Sequence, residues 1–393
     1  MPSVPEPPTV EFRLGEPDVS RDPGSFFAEL RQSCPVGRAS SFGGFWVLSG
    51  YDDVHDAARR PEIFSSAQGI SIPVNPFPPV LCLEQDDPDH AMWRALMRPW
   101  FAPPRIAGME PAVRQVVTSL IDQVVDDGRC DLARDVANPV PPIVIAKLLG
   151  LPESDWPWFH GQIDRFLALI AQGDVEASTA AVTELLGYLM AALDERRSNP
   201  RGDMLSDIAQ LGVDGEQIEI GQALSLALLL LIGGHETTMG AMGGLLHRVG
   251  TDPGLQDRLL AEPELVVSAV EEALRLEPSL PGLGRVTTEE TTVSGVTIPK
   301  GERVMLLYGS ANRDPAVFDR PEQFDIDRPN NGRHLTFGAG PHRCVGAPLG
   351  RLELRVVLEE VLRRIPRYRI VDPDAVEVHY AFSRVYRSLP AVW

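Results

Sequence analysis

Four cysteines in 393 residues, Cys34, Cys82, Cys130 and Cys344, are too few and too scattered for a disulfide framework or a C-x-x-C zinc pair. A reducing, cytoplasmic setting fits them, and each reads first as a small buried apolar residue. Basic residues are also scarce. Lys plus Arg is 36 against 55 Asp plus Glu, a formal charge of −19. Such a surface repels nucleic-acid phosphates and anionic lipid headgroups, so neither is an expected partner. No apolar run approaches the ~20 residues that cross a bilayer. The longest, Ala223 to Ile232, is interrupted by Ser225 and reads as a buried helix. The N-terminus holds four prolines in its first eight residues and no basic-then-apolar leader, so no membrane anchor is expected. Internal repeats, low-complexity blocks and dividing linkers are lacking too. One body over residues 1–393 is the expectation, with about the first 20 irregular and Pro-rich.

What is present is ordinary for a folded chain: 44% hydrophobic and 23% charged residues. Helical spacing dominates from Arg105 to Leu276. Met109 to Val125 carries Val113, Val116, Val117, Leu120, Ile121 and Val124 on one face. Pro141 to Leu149 stops at Gly150 and Pro152, Glu176 to Arg196 continues the pattern, and Gly215 to His247 is the longest and most apolar. Strand signals sit toward the ends, at Phe42 to Leu48, in Thr291 to Leu307 around the turns Ser294-Gly295 and Pro299-Lys300-Gly301, and from Tyr368 onward. The fold class predicted is mainly α with a small β-rich flank.

The loop from Ser65 to Glu84 combines Pro73, Pro76, Pro78 and Pro79 with Ile70, Ile72, Val74, Phe77, Val80, Leu81 and Leu83. A loop that long and apolar either packs on the body or walls an apolar pocket. A second unusual stretch runs from Phe337 to Gly346, three glycines and a proline around Cys344, with a helical pattern from Ala347 to Arg364 behind it. Glycines let a backbone turn tightly and approach a flat ligand. Helix-start amides near the sulfur favour a thiolate, the form that ligates iron. Local chemistry alone leaves a Gly-rich turn with an incidental cysteine equally open.

Phe337, Gly340, His342, Cys344 and Gly346 resemble the haem-binding signature F-x-x-G-x-H/R-x-C-x-G of the cytochrome P-450 haem-thiolate monooxygenases. Gly233-Gly234-His235-Glu236-Thr237-Thr238 is similar to that family's oxygen-binding helix motif, Glu272 and Arg275 to its E-x-x-R, His90 and Arg94 to its H-x-x-x-R, and Ala311 to Pro315 to its A-N-R-D-P turn. The motifs stand in the family's order, and the likeness covers nearly the whole chain. It is nearest to the soluble bacterial branch.

The resemblance implies the family fold, with haem b between the long central helix and the helix after the cysteine loop. It implies Cys344 as axial iron ligand, and His90, Arg94, Arg285 and His342 on the propionates. Phe337, Gly338, Gly346 and Gly233 would lie against the cofactor. Glu236 and Thr237 would deliver protons. The alternative is structural: Thr237 bonds back to the Gly233 carbonyl and Glu236 forms an ion pair. His235 occupies the motif's variable position and reads as structural. Glu272 and Arg275 brace the cysteine loop by resemblance. Gln323 stands where many members have an arginine, and Arg328 is the candidate substitute.

The pocket implied runs through Ile70–Leu83, Phe166–Ile170, Leu229–Gly233, Leu280–Leu283 and Ala381–Ser383, with Ile72, Val80, Phe166, Leu229, Leu283 and Phe382 as lining candidates; core packing explains about half of them equally well. The activity implied is insertion of one atom of O2 into a hydrophobic small molecule, with hydroxylation first. Electrons would come from NAD(P)H through a ferredoxin and its reductase, docked at Arg343, Arg351 and Arg355. A peroxide-driven oxygenase, a haem-thiolate gas sensor and a cysteine hydrolase built on Cys344 and His342 are the rivals.

Overall fold

The apolar periodicity between Arg105 and Leu276 becomes a stack of helices in the computed structural model, which describes residues 8–73, 77–172, 174–213, 215–380 and 382–393. Helices form with shifted ends at Pro103–Ile121, Val140–Leu149, Val175–Ser198 and Val266–Leu276, and with the expected ends at Ala347–Arg364. Gly150 ends the second in the left-handed region (φ 77°), and Asp174 caps the third by accepting from the Ala177 amide. A helix that the periodicity passes over, Trp156–Gln172, runs alongside Val175–Ser198.

The longest apolar segment is not one helix. It forms Ile220–Gly233 and Glu236–Gly250, broken at Gly234 and His235. His235 has φ −97° and ψ −93°, far from helical values, and its side chain is completely buried. Ile220–Gly250 together is long and apolar enough to cross a bilayer, but half of its apolar window is buried in the fold and the break interrupts it. It is the core of the molecule. Glu236–Gly250 lies against Ala347–Arg364, Val266–Leu276 and the strand Arg384–Ser388. Small residues permit that approach: a Cβ on Gly243 would stand 2.8 Å from Tyr386, and one on Gly244 2.6 Å from Glu277.

The β-rich flank is a six-stranded sheet in the order Thr9–Val10, Val36–Ala39, Phe45–Leu48, Arg303–Leu306, Leu283–Thr287, Phe64–Ser65. Phe45–Leu48 and Arg303–Leu306 pair in parallel, and Leu283–Thr287 runs antiparallel to the latter. The turn predicted at Ser294-Gly295 joins a separate hairpin of Thr291–Val293 and Val296–Ile298, both turn residues having positive φ. The N-terminal expectation needs correction: within its described part, Thr9–Val10 joins the sheet and Pro17–Arg21 is helical. Residues 1–7, Val74 and Pro76 of the apolar loop, and Ala381 lie outside the described residues.

Candidate active site

The cysteine loop folds as its glycines dictate. Gly338 and Gly340 take φ of 69° and 68°, and a Cβ on Gly340 would meet the Ala58 carbonyl at 2.6 Å, so only glycine fits. The Cys344 amide donates to the Phe337 carbonyl at 2.8 Å, closing the loop ahead of Ala347–Arg364. Cys344 opens onto a cleft of about 510 Å³ that His90, Arg94, Arg98, Phe101 and Arg343 also line. Burial within the surrounding fold raises its thiol above the ordinary value. Amide hydrogen bonds from Gly346 and Ala347 and the charges of Arg94 and Arg343 pull it back without overcoming burial. The helix-start amides thus favour the thiolate, as the sequence suggests, while burial opposes them.

Across the loop lies a cluster of nitrogen donors. His90 is buried on the helix Asp89–Met97, and its ring stands 4.0 Å from that of His342. His90 Nδ1 faces Asp87 at 3.2 Å, while Nε2 of both histidines is buried without a partner. Arg285 is buried on the strand Leu283–Thr287 and donates to the Gly284 carbonyl at 2.7 Å; Arg94 donates to the Arg343 carbonyl. Neither arginine has a carboxylate partner among the described residues. Burial, then the charges of Arg285, His90 and Arg94, pushes His342 down to about 3. Arg94, Arg285 and His342, without carboxylate partners among the described residues, and the free Nε2 of His90 form a site for anionic groups brought from outside.

At the helix break, Thr237 Oγ1 donates to the Gly233 carbonyl at 2.8 Å, the backbone arrangement weighed above as the structural alternative. Glu236 is buried and accepts from Ser383 Oγ at 2.5 Å, with Arg387 Nη2 at 3.7 Å. Burial, aided by the charge of Asp164, raises its carboxyl against the pull of Ser383 and Arg387. Glu236 is thus poised to hold a proton at neutral pH more readily than an ordinary glutamate.

Behind the cysteine loop, Glu272 and Arg275 are completely buried and doubly bonded, at 2.8 and 2.7 Å. Arg328 completes the network by donating through Nε to both Glu272 oxygens, at 3.1 and 3.3 Å. Gln323 contributes only its backbone carbonyl, which both arginines share. Sequence reasoning missed how this network reaches the loop. Arg275 Nη1 holds the Asn312 carbonyl at 2.9 Å, and the Asn312 side chain accepts from the Leu335 amide at 2.6 Å and donates to Thr336 Oγ1 at 2.8 Å. Those two residues lead directly into Phe337.

The pocket candidates do not share one contact group. Phe166, Leu229 and Phe382 border the main core, Leu283 a second cluster and Ile72 a third. Phe166 packs on Phe77 of the apolar loop with ring centres 5.4 Å apart. That loop is held at both ends by Glu84, a residue sequence reading passed over, whose carboxylate accepts from the Ile70 and Val80 amides at 3.1 and 3.0 Å. The docking patch also changes. Arg351 is paired with Glu271 at 2.6 Å and Arg355 with Glu110 at 2.5 Å, so neither is free. Arg98 and Arg343, exposed at the cleft and without carboxylate partners among the described residues, are the free cations there.

A cysteine sulfur at the cleft and a set of unpaired nitrogen donors suited to two carboxylates fit an iron porphyrin. The site is of the haem-thiolate kind. Residues 162–366 match the family model described as Cytochrome P450. The steroid C26-monooxygenase of Mycobacterium tuberculosis is 36% identical over 94% of this chain and 93% of its own. Two solved structures superpose with TM-scores of 0.88 and 0.84: myxobacterial cytochrome P450 CYP267B1 in complex with myristic acid (31% identical, 97% and 99% of the chains covered), and CYP109E1 from Bacillus megaterium in complex with testosterone (29% identical, 94% and 99% covered). The chain belongs to the cytochrome P450 family. It is a haem-dependent monooxygenase of the type found in bacteria.

Proposed function

We propose that the protein hydroxylates a hydrophobic small molecule, and that Cys344 would hold the iron of haem b while His90, Arg94, Arg285 and His342 would partner its propionates. The observation that carries this reading is the pairing of an accessible sulfur with donors that lack anions inside the fold. Phe337, Gly338, Gly346 and Gly233 would border the cofactor. Bound haem supplies dioxygen activation, one oxygen atom going to substrate and the other leaving as water with two electrons and two protons. The remaining work falls to side chains. Glu236, whose carboxyl burial raises, would relay protons at the helix break, and rotation of Thr237 off the Gly233 carbonyl would free its hydroxyl there. Glu272, Arg275 and Arg328 hold the cysteine loop in place through Asn312.

The names of the relatives make steroids and fatty acids the first compounds to test. Phe166, Leu229, Leu283, Ile72, Val80 and Phe382 would then wall the substrate. A ferredoxin, itself reduced by an NAD(P)H-dependent reductase, would dock at Arg98 and Arg343. The test is the carbon monoxide difference spectrum of the reduced protein together with a spin-state screen of those compounds. A thiolate-type band that Cys344→Ser abolishes is the result expected, and its absence from the parent protein refutes the assignment. Thr237→Ala should raise peroxide released per electron consumed; unchanged coupling removes Thr237 from proton delivery.

A further inference from the structure

Away from the cleft, one group of side chains in the described residues has the donors and spacing of a metal site. His160 and Asp164 stand one turn apart on Trp156–Gln172, and His235 sits at the break in the central helix. One ligand atom from each lies within 4.8 Å of the others. His160 Nδ1 and His235 Nε2 are 2.8 Å apart, and His160 Nε2 is 3.9 Å from Asp164 Oδ2. That contact leaves two buried atoms unsatisfied: His235 Nδ1, on a side chain with no exposed surface, and Asp164 Oδ1. Asp164 Oδ1 is thus open to a partner not supplied by the chain, while His235 Nδ1 lies on the ring edge turned from His160.

We propose that His160, Asp164 and His235 bind a divalent transition metal ion of the zinc class, through one nitrogen of each imidazole, one carboxylate oxygen and a solvent molecule. Two imidazoles and a carboxylate suit zinc, nickel or copper better than magnesium or calcium. Zinc–nitrogen bonds of ~2.0–2.1 Å in a tetrahedron set the two nitrogens about 3.3 Å apart, so the pair must open by roughly half an ångström. His160 and Asp164 are partly exposed, at 23% and 26%, which gives room for that shift and an entry path.

Arg387 opposes the ion, since its Nη1 lies 2.5 Å from Asp164 Oδ2. Its other terminal nitrogen is 3.7 Å from Glu236, so a second carboxylate is in reach when Asp164 turns to the metal. An ion here would pin the helix carrying Phe166 to the backbone beside Gly233 and Thr237.

The test uses the haem-loaded protein, stripped of loosely held metal with a chelator, dialysed against micromolar zinc chloride and freed of unbound zinc. Zinc and iron are then counted by mass spectrometry, and the melting temperature is taken with and without zinc. One zinc per iron and a zinc-dependent rise in melting temperature are expected. His160→Gln and Asp164→Asn, both at partly exposed positions, should each lower retained zinc at least tenfold at unchanged iron content. His55→Asn, at a distant surface histidine, should retain the full equivalent. Zinc retention that is absent in the parent, unaffected by the first two variants, or lost in His55→Asn overturns the site.

Discussion

Replacing Glu272 with glutamine would remove one charge and leave two guanidinium groups buried without an anion. The carboxylate takes two bonds from Arg275 at 2.7 and 2.8 Å, two from Arg328 at 3.1 and 3.3 Å and one from the Asp325 amide at 2.9 Å. The arginines' other donors end on backbone carbonyls of residues 312, 319, 320, 321 and 323, which carry no net charge. Breaking a buried pair in this way costs about 3–5 kcal/mol. An unfolding entropy of ~2.1 cal/mol/K per residue amounts to about 0.8 kcal/mol/K for a chain of this length, so the melting temperature should fall by ~4–6 °C. Arg328→Met leaves the Glu272–Arg275 pair intact and should cost less, on the order of 1–3 kcal/mol. Urea unfolding followed by circular dichroism, with melting at a fixed scan rate, compares the two. Because the same network reaches Leu335 and Thr336 through Asn312, Glu272→Gln should also lose haem faster to a scavenger protein. The reasoning is refuted if Glu272→Gln is no less stable than Arg328→Met.

Glu353 is buried, its Oε2 has no partner, and burial raises its carboxyl well above 4.5. A raised folded value costs stability as pH climbs past the ordinary one, so Glu353→Leu should be more stable at neutral pH by about 1–3 kcal/mol, with a smaller advantage below pH 4.5; an equal advantage at all pH values in urea titrations contradicts this. Burial pushes Glu271 up, but hydrogen bonds from Arg351 and His334 outweigh it and hold the carboxyl at about 2. Its contribution is complete above pH 4.5 and disappears as pH falls toward 2, so Arg351→Met should begin acid unfolding at higher pH than the parent, and coincident acid transitions would rule the pair out. Gly187→Ala, in the exposed middle of Val175–Ser198 with nothing within 4 Å, should gain up to about 1 kcal/mol. Gly244→Ala drives a methyl to 2.6 Å from Glu277 Cβ and should lose about 1–3 kcal/mol, and thermal melts that rank the two the other way would defeat the packing argument.

The parts legible in the sequence are those whose signal is local. Cys344 stands out among glycines that the loop's positive φ values require. Glu272 and Arg275 lie three apart on one helix and meet across it. The break in the central helix falls at Gly234 and His235, beside the glycine pair Gly233-Gly234. What escaped depends on partners far along the chain. Charge counting cannot show that Glu271 and Glu110, on other helices, neutralise Arg351 and Arg355. Asn312 looked like a turn residue because its role needs Leu335 and Thr336 in place. The need for Gly243 and Gly244 likewise depends on Tyr386 and Glu277, far along the chain.

Arg384 donates through Nε and Nη2 to the carbonyls of Ser20 and Arg21, both at 2.7 Å, and through Nη1 to buried Glu277. It sits within the last ten residues of the chain. During synthesis, the segment around Pro17–Arg21 emerges 364 residues ahead of the fastener that Ser20 needs. Glu277 waits as well, with Arg248 beside it but without the guanidinium of Arg384. Closure between these two segments is therefore a long-range event in time as well as in sequence, and loss of Arg384 would undo the fold around Pro17–Arg21.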